Sequence, residues 1–567
     1  MMAGSATELR HASPTPSHSL KEKAEEGRPF AWEGLYPAGL DWACELPVTT
    51  LPGLLARAVA AFGERVAITF RGRGMTFSEL GARVERLARG LREARVGAGD
   101  AVGLLLPNSP AHPVAFFAVL TVGARVVHLT PLDPARAVLR KLADSAARTL
   151  ITTNLAGVLG VAMAVQGGVD RVIVADNAEW GPGGEGVPMP EGVLAMSELD
   201  GAGGAWPALD PHDVALLQYT GGTTGQARAA MLTHANLTST VAIYDQWNAG
   251  FGRVFAPGDR MLCVLPLFHI FALTAVLLRA VRNGVELVLH TRFHLDAVLE
   301  AIEVGRCTHV SGVPTMWIAM VNAPGIERRD LSSLRVVSSG GAGLPHEIGE
   351  RFLALTGHRL GGGWGMTETA PAGTNLVPGR VAVAGEIGVP LPGVELQVVS
   401  LDDSRAVLGA GEVGELRIRG PNVTPGYWQR PEENVAAFVD GWFLTGDVGR
   451  MEADGRFVLV DRKKDMIISG GFNVYPRAIE DAIHEHPDVV EAAVVGVEDA
   501  YRGQAAKAFV VMRAGVAPLT LEGLREFLEE RLGRHELPAM LEVRDSLPHT
   551  AVGKLAKREL MAEKETV

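Results

Sequence analysis

Gln218-Tyr-Thr-Gly-Gly-Thr-Thr-Gly-Gln-Ala-Arg-Ala-Ala-Met-Leu-Thr-His234 is the stretch on which the reading of this chain turns. An apolar run, Val214 to Leu217, leads into it, only Gly, Thr and Gln occupy Thr220 to Gln226, and a helical pattern follows from about Ala235. Strand, Gly/Thr loop, helix is an arrangement that holds a polyphosphate, because glycines let the backbone approach and bare N–H groups and hydroxyls point inward. Thr220, Gly221, Gly222, Thr223 and Thr224 are therefore candidate nucleotide contacts. No Gly-Lys-Ser/Thr closes the loop, so its spacing is not that of a P-loop NTPase. Taken alone, such a loop is equally a surface turn, and the rest of the chain decides.

The chain has 567 residues, enough for one large domain and a smaller one. Hydrophobic residues make up 47% and charged ones 21%, a globular balance with ample core. A net charge of −12, with no long basic run, excludes nucleic acid as an expected partner. Cys44, Cys263 and Cys307 are scattered; they give neither a disulfide framework nor a zinc spacing and fit a reducing compartment. No apolar run reaches the about 18 residues of a transmembrane helix. The N-terminus lacks the layout of a signal peptide, so a cytoplasmic location is expected.

Residues 1–28 are rich in Ser, Pro, Glu, Lys and His and read as a disordered tail. From about Leu51, apolar strands such as Ala101–Leu106, Ala124–Leu129 and Thr149–Thr152 alternate with helical patterns such as Ala111–Val122. Continuous apolar strands with helices between them indicate parallel sheets covered on both faces. The same grammar resumes after the Gly/Thr loop with Met261–Leu265, Val285–Leu289, His309–Val313 and Leu334–Ser338. Near residue 381 it gives way to short strands with turn signals, a small β-rich subdomain. The last hundred residues restart an α/β pattern beyond the charged turn Asp461–Lys464.

Six further stretches share the Gly/Thr/acid/base character. They are Leu265-Pro-Leu-Phe-His269, Ser338-Ser-Gly-Gly-Ala-Gly-Leu344, Gly363-Trp-Gly-Met-Thr-Glu368, Thr445-Gly-Asp447, Asp461-Arg-Lys-Lys-Asp465 and Leu547-Pro-His-Thr-Ala-Val-Gly-Lys554. In order and spacing the seven resemble the adenylate-forming superfamily, and within it the acyl-CoA synthetases, from about Trp32 to Leu560. The resemblance implies an α/β fold: residues 29–462 as a large N-terminal domain of two parallel-type α/β subdomains plus a small β subdomain, then a smaller, mobile α+β domain over 463–567. It implies activation of a medium- or long-chain fatty acid as acyl-AMP with release of pyrophosphate, then transfer to the thiol of CoA with release of AMP. ATP, Mg2+ and CoA are the cofactors and co-substrates it implies. A homodimer and peripheral membrane contact are left open.

The residue roles follow from the same resemblance. A carboxylate must attack the α-phosphate, anion on anion, and a well-placed cation removes much of that repulsion. Lys554 matches the lysine that bridges the two. Asp447 matches the carboxylate that accepts both ribose hydroxyls, and Arg462 an arginine on ribose and phosphates. Glu368 matches a Mg2+ ligand, a hard oxygen suited to that ion, and Thr367 a hydrogen-bond donor to the α-phosphate. Trp364, with Gly365 and Met366, stands where a Tyr usually stacks on adenine; a plain core tryptophan is the other reading. Gly341, Ala342 and Gly343 match the loop bordering adenine and the acyl tunnel. His269 matches a gate at the acyl pocket, with a structural histidine equally open. Lys464 matches the hinge about which the small domain turns between the two half-reactions, and Gly470 and Gly471 the backbone lining a channel for CoA.

The resembling loops continue Lys-Gly where this chain has Arg228-Ala229. Arg keeps the charge but offers a planar fork in place of a point charge, and Ala lacks glycine's freedom at positive φ. Slower or weaker use of ATP is the expectation. Val313, Pro314, Met316, Gly340 and Met366 are apolar or small, which suits a hydrophobic acyl tail; dicarboxylic and aryl acids stay open. A carrier-loading module is the alternative, but no Asp stands near Phe268-His269 to hold an amino group.

Overall fold

The computed structural model describes residues 29–220, 227–469, 472–499, 502–549 and 555–562. The expected tail 1–28 lies outside them, as do Gly221, Gly222, Thr223, Thr224, Gly470, Gly471 and Lys554.

The apolar runs build two seven-stranded sheets on one plan. The first has the order Leu194–Ala195, Arg171–Ala175, Thr149–Thr153, Ala101–Leu104, Arg125–His128, Val214–Thr220, Arg228–Thr233. All its neighbours are parallel except the last pair. The second runs Gly361–Gly362, Val336–Ser339, His309–Gly312, Arg260–Cys263, Glu286–Leu289, Val66–Phe70, Arg73–Thr76 and again is parallel up to an antiparallel edge. Ala101–Leu104 and Thr149–Thr153 are buried at every residue, as strands covered on both faces must be. The helix Ala111–Thr121, apolar all round and wholly buried, packs against Leu51–Phe62 and Phe77–Glu93, and one core runs through strands of both sheets. Thr76 and Glu79 start the helix Phe77–Glu93 with a reciprocal capping box.

The third sheet is antiparallel: Thr374–Asn375, Glu386–Pro390, Phe457–Arg462, Trp442–Met451, Gly414–Arg419, Glu395–Val399, with Phe438–Val439 beside Trp442–Met451. It has a core of its own, which includes Trp364 and Tyr427. The fourth sheet orders Phe472–Val474, Ile467–Ser469, Gly503–Met512 and Val489–Asp499, and Met540–Arg544 lies parallel to Gly503–Met512. The helices Pro476–His484 and Leu521–Leu528 cover its separate core. No helix among the described residues is long and apolar enough to cross a membrane.

One expectation is corrected. The expected order of strand, Gly/Thr loop and helix has a further strand in it: Arg228–Thr233, antiparallel to Val214–Thr220 with Thr220 opposite Arg228. The Gly/Thr loop therefore joins two strands and does not open onto a helix N-terminus. Alanines and a methionine favour helix, but tertiary pairing overrides them here. Met231 N donates to Gly426 O and Trp428 N to Ala229 O, both at 2.9 Å, so residues 426–428 cover the outer edge of this strand. The helix His234–Gly250 starts only after it, at a Thr233/Asn236 capping box.

Candidate active site

Asp447 and Arg462 face each other across the two central strands of the third sheet. Asp447 is 3% exposed. Its Oδ1 is 3.2 Å from Arg462 Nε, and its Oδ2 accepts the Trp364 indole N–H at 2.7 Å. Behind it, the Thr445 hydroxyl accepts the Asp447 amide and donates to Leu416 O. The carboxylate is thus fixed in place and charge-balanced, while Arg462 is half-exposed and able to reach a ligand. Trp364 is buried in the core of the third sheet and covers Gly373, where a Cβ would lie 2.6 Å from its ring. Its indole edge, rather than an exposed ring face, is what it presents to Asp447.

Gly365 carries the chain into the next turn past a backbone that admits no side chain: a Cβ there would sit 1.5 Å from Pro371 O. Thr367–Thr369 then forms a single 3-10 turn that places Glu368, 5% exposed. Burial raises the Glu368 carboxyl above the usual range, against the pull of the Tyr427 hydroxyl, which donates to Oε1 at 2.8 Å. Arg462 and Asp447 are close enough to act on the same charge, with opposite signs. Among the described residues, none donates a hydrogen bond to Oε2. The described residues hold no group of three or more His, Cys, Asp or Glu able to form a cage. One carboxylate oxygen fits Mg2+, which is held by one or two carboxylates with substrate phosphates and water.

On the other side, Asn108 pins the Leu265–His269 segment by donating to Leu265 O and accepting from Leu267 N. Gln218, near the end of the strand Val214–Thr220, donates to Phe268 O at 3.0 Å. His269 is half-buried, and its Nδ1 accepts the Phe271 amide. The Phe271 ring in turn fills the space where a Gly340 Cβ would be, 2.9 Å away, so His269 and the Ser338–Gly343 loop are brought together. Gly341 (φ 84°), Ala342 and Gly343 are exposed.

Lys464 lies exposed in the turn after Phe457–Arg462. The preceding Lys463 is anchored, its amide to Gly446 O and its ammonium to Glu415 at 2.8 Å. Residues that flank Lys554 are held too: His549 bridges Leu555, and Lys557 pairs with Glu480 at 2.6 Å. Sequence reasoning missed Tyr427, and also Arg477, whose guanidinium reaches to 2.6 Å from where a Gly343 Cβ would be. Neither sits in a motif; only contacts between distant segments reveal them.

Residues 55–428 match the family described as AMP-binding enzyme, and residues 478–554 the AMP-binding enzyme C-terminal domain. The long-chain-fatty-acid–CoA ligase of Bacillus subtilis (strain 168) is 34% identical over 552 residues, which cover 94% of this chain and 98% of that one. A feruloyl-CoA synthase of an Amycolatopsis species is 39% identical over 500 residues, 87% of this chain and 95% of that one. The solved O-succinylbenzoate coenzyme A synthetase of Bacillus subtilis, in complex with ATP and magnesium ion, superposes with a TM-score of 0.76 at 29% identity, over 90% of this chain and 99% of that one. The chain belongs to the AMP-binding enzyme family, as an adenylate-forming acyl-CoA synthetase that uses ATP, Mg2+ and CoA.

Proposed function

We propose that this ligase acts on medium- or long-chain fatty acids. The observation that carries the reading is the full-length likeness to a long-chain-fatty-acid–CoA ligase. Val313 and Met316 are buried and apolar, the residue types that such a tail needs around it.

In the first step a carboxylate oxygen of the acid bonds to the α-phosphorus and pyrophosphate leaves. Lys554 lies between the two anions and quenches their repulsion. Asp447 takes the ribose hydroxyls, Arg462 the ribose and phosphates, Thr367 the α-phosphate, and Thr220 to Thr224 the departing pyrophosphate. Mg2+, when bound at Glu368, supplies charge neutralisation to the phosphates. In the second step the small domain, residues 463–567, turns about Lys464. The CoA sulphur, its proton lost to solvent, bonds to the acyl carbon, and AMP leaves with the bridging oxygen. Gly470 and Gly471 line the thiol's approach.

The test is a panel of fatty, dicarboxylic and aryl acids with ATP, Mg2+ and CoA, following AMP release. Highest kcat/KM on a medium- or long-chain fatty acid is expected. Preference for an aryl acid, the reading favoured by the feruloyl-CoA synthase likeness, would replace it. Turnover that needs a carrier protein instead of CoA would make the chain a loading module.

A further inference from the structure

Arg228 stands where the resembling loops carry lysine, at the foot of the nucleotide hairpin. Its guanidinium has two partners on the covering segment. Nη1 pairs with Glu433 Oε2 at 2.8 Å, and Cζ lies over the Tyr427 ring, 5.2 Å from its centre. Tyr427 is the residue whose hydroxyl holds Glu368 Oε1. The helix Pro431–Ala437, which supplies Glu433, also clamps the Tyr427 backbone through Asn434, with bonds of 2.7 and 2.9 Å. The same helix closes a chain back to the other strand of the hairpin. Glu433 lies 3.6 Å from Arg430, Arg430 pairs with Asp144 at 2.6 Å, and Asp144 accepts the Tyr219 hydroxyl at 2.8 Å. Both stems of the hairpin are therefore buckled to one helix, and Arg228 is the link that also touches the phenol.

We propose that Arg228 is a positioning residue for Glu368: paired with Glu433 and stacked on Tyr427, it fixes the phenol that orients the metal-side carboxylate, and it does not itself contact the pyrophosphate end of ATP. The proposal rests on the reading of Glu368 as the Mg2+ ligand. A planar cation suits this post, because it can pair at its edge and lie on a ring with its face. A lysine at this position has the charge without the plane. Reaching a phosphate would require Arg228 to leave both partners.

The experiment measures binding of α,β-methylene-ATP to the whole enzyme by calorimetry across a Mg2+ series, so that no turnover is needed. Arg228→Met should raise the Mg2+ concentration for half-maximal binding roughly three- to fivefold, the range of a lost cation–π contact; Tyr427→Phe, which keeps the ring but deletes the O–H held on the Glu368 carboxylate, should raise it roughly tenfold or more. Affinity at saturating Mg2+ should stay within about twofold of the parent, and the double variant should be no worse than Tyr427→Phe alone, since both act on one carboxylate. Weaker binding by Arg228→Met at every Mg2+ concentration, multiplying with Tyr427→Phe, would place Arg228 on the phosphates and overturn the proposal. An unmoved Mg2+ midpoint in Arg228→Met would overturn it as well. Glu368→Gln is the separate arm: if it leaves the midpoint where it was, the metal reading of Glu368 fails, and the failure is traced there and not to Arg228.

Discussion

Asp447 is held from three sides before any substrate arrives, and that makes its geometry testable one donor at a time. Trp364→Phe keeps the ring in the core but deletes the N–H. A hydrogen bond to a charged group contributes about 1.5–3 kcal/mol, so KM for ATP should rise roughly tenfold or more while kcat changes much less; initial rates at varied ATP give the split. Loss of kcat at unchanged KM would contradict the ribose-holding role proposed for Asp447. Lys554 carries the opposite kind of prediction. Two unit charges about 4 Å apart interact by about 4 kcal/mol at an effective dielectric near 20. Lys554→Ala should therefore slow acyl-AMP formation roughly a thousandfold and spare thioester formation from supplied acyl-AMP. Equal loss in both half-reactions would sink the two-step division of labour.

Among the elements, the helix Pro476–His484 ties the strand Val489–Asp499 to the last described helix, Lys557–Ala562. Its Glu480 accepts both the Val494 amide and the Lys557 ammonium at 2.6 Å. Burial lifts this carboxyl to about 7, with Lys557 and the amide pulling the other way. The folded state thus keeps a proton that an unfolded glutamate releases near 4.5. This group's contribution to stability is full below about 4.5 and is lost as pH rises through about 7, by at most about 3 kcal/mol. Glu480→Gln should flatten the pH dependence of the urea midpoint between those values; an unchanged slope would assign it elsewhere. The central strands and their helices were legible in the sequence because each is a continuous apolar or amphipathic run, as in Ala101–Leu104 and Phe77–Glu93. Arg228–Thr233 was not, since its alanines carry no strand pattern and what makes it a strand is pairing with Val214–Thr220 on one edge and residues 426–428 on the other. The site divides the same way. Asp447, Arg462, Trp364 and Glu368 lie in motifs that the sequence displays and that the fold brings near one another, while Tyr427, Arg477 and the Glu480–Lys557 pair are seen only through contacts across the fold.

At the scale of the whole molecule, the fourth sheet hangs from the turn that holds Lys464, between an anchored Lys463 and the strand Ile467–Ser469. Lys464→Pro restricts the backbone at that turn. It should leave acyl-AMP formation largely intact and lower thioester formation, so that acyl-AMP accumulates on the enzyme in a single-turnover assay. Adenylation failing first would put the pivot elsewhere. The second sheet has a different consequence. Its strand Val66–Phe70 sits beside Glu286–Leu289, with Ile68 opposite Leu287. On the ribosome that partner emerges about 220 residues later, on the order of ten seconds or more at 5–20 residues per second. Through that interval the hairpin Val66–Thr76 is a finished sticky edge with nowhere to dock, and nascent chains are safest when chaperones shield it until the second sheet is translated.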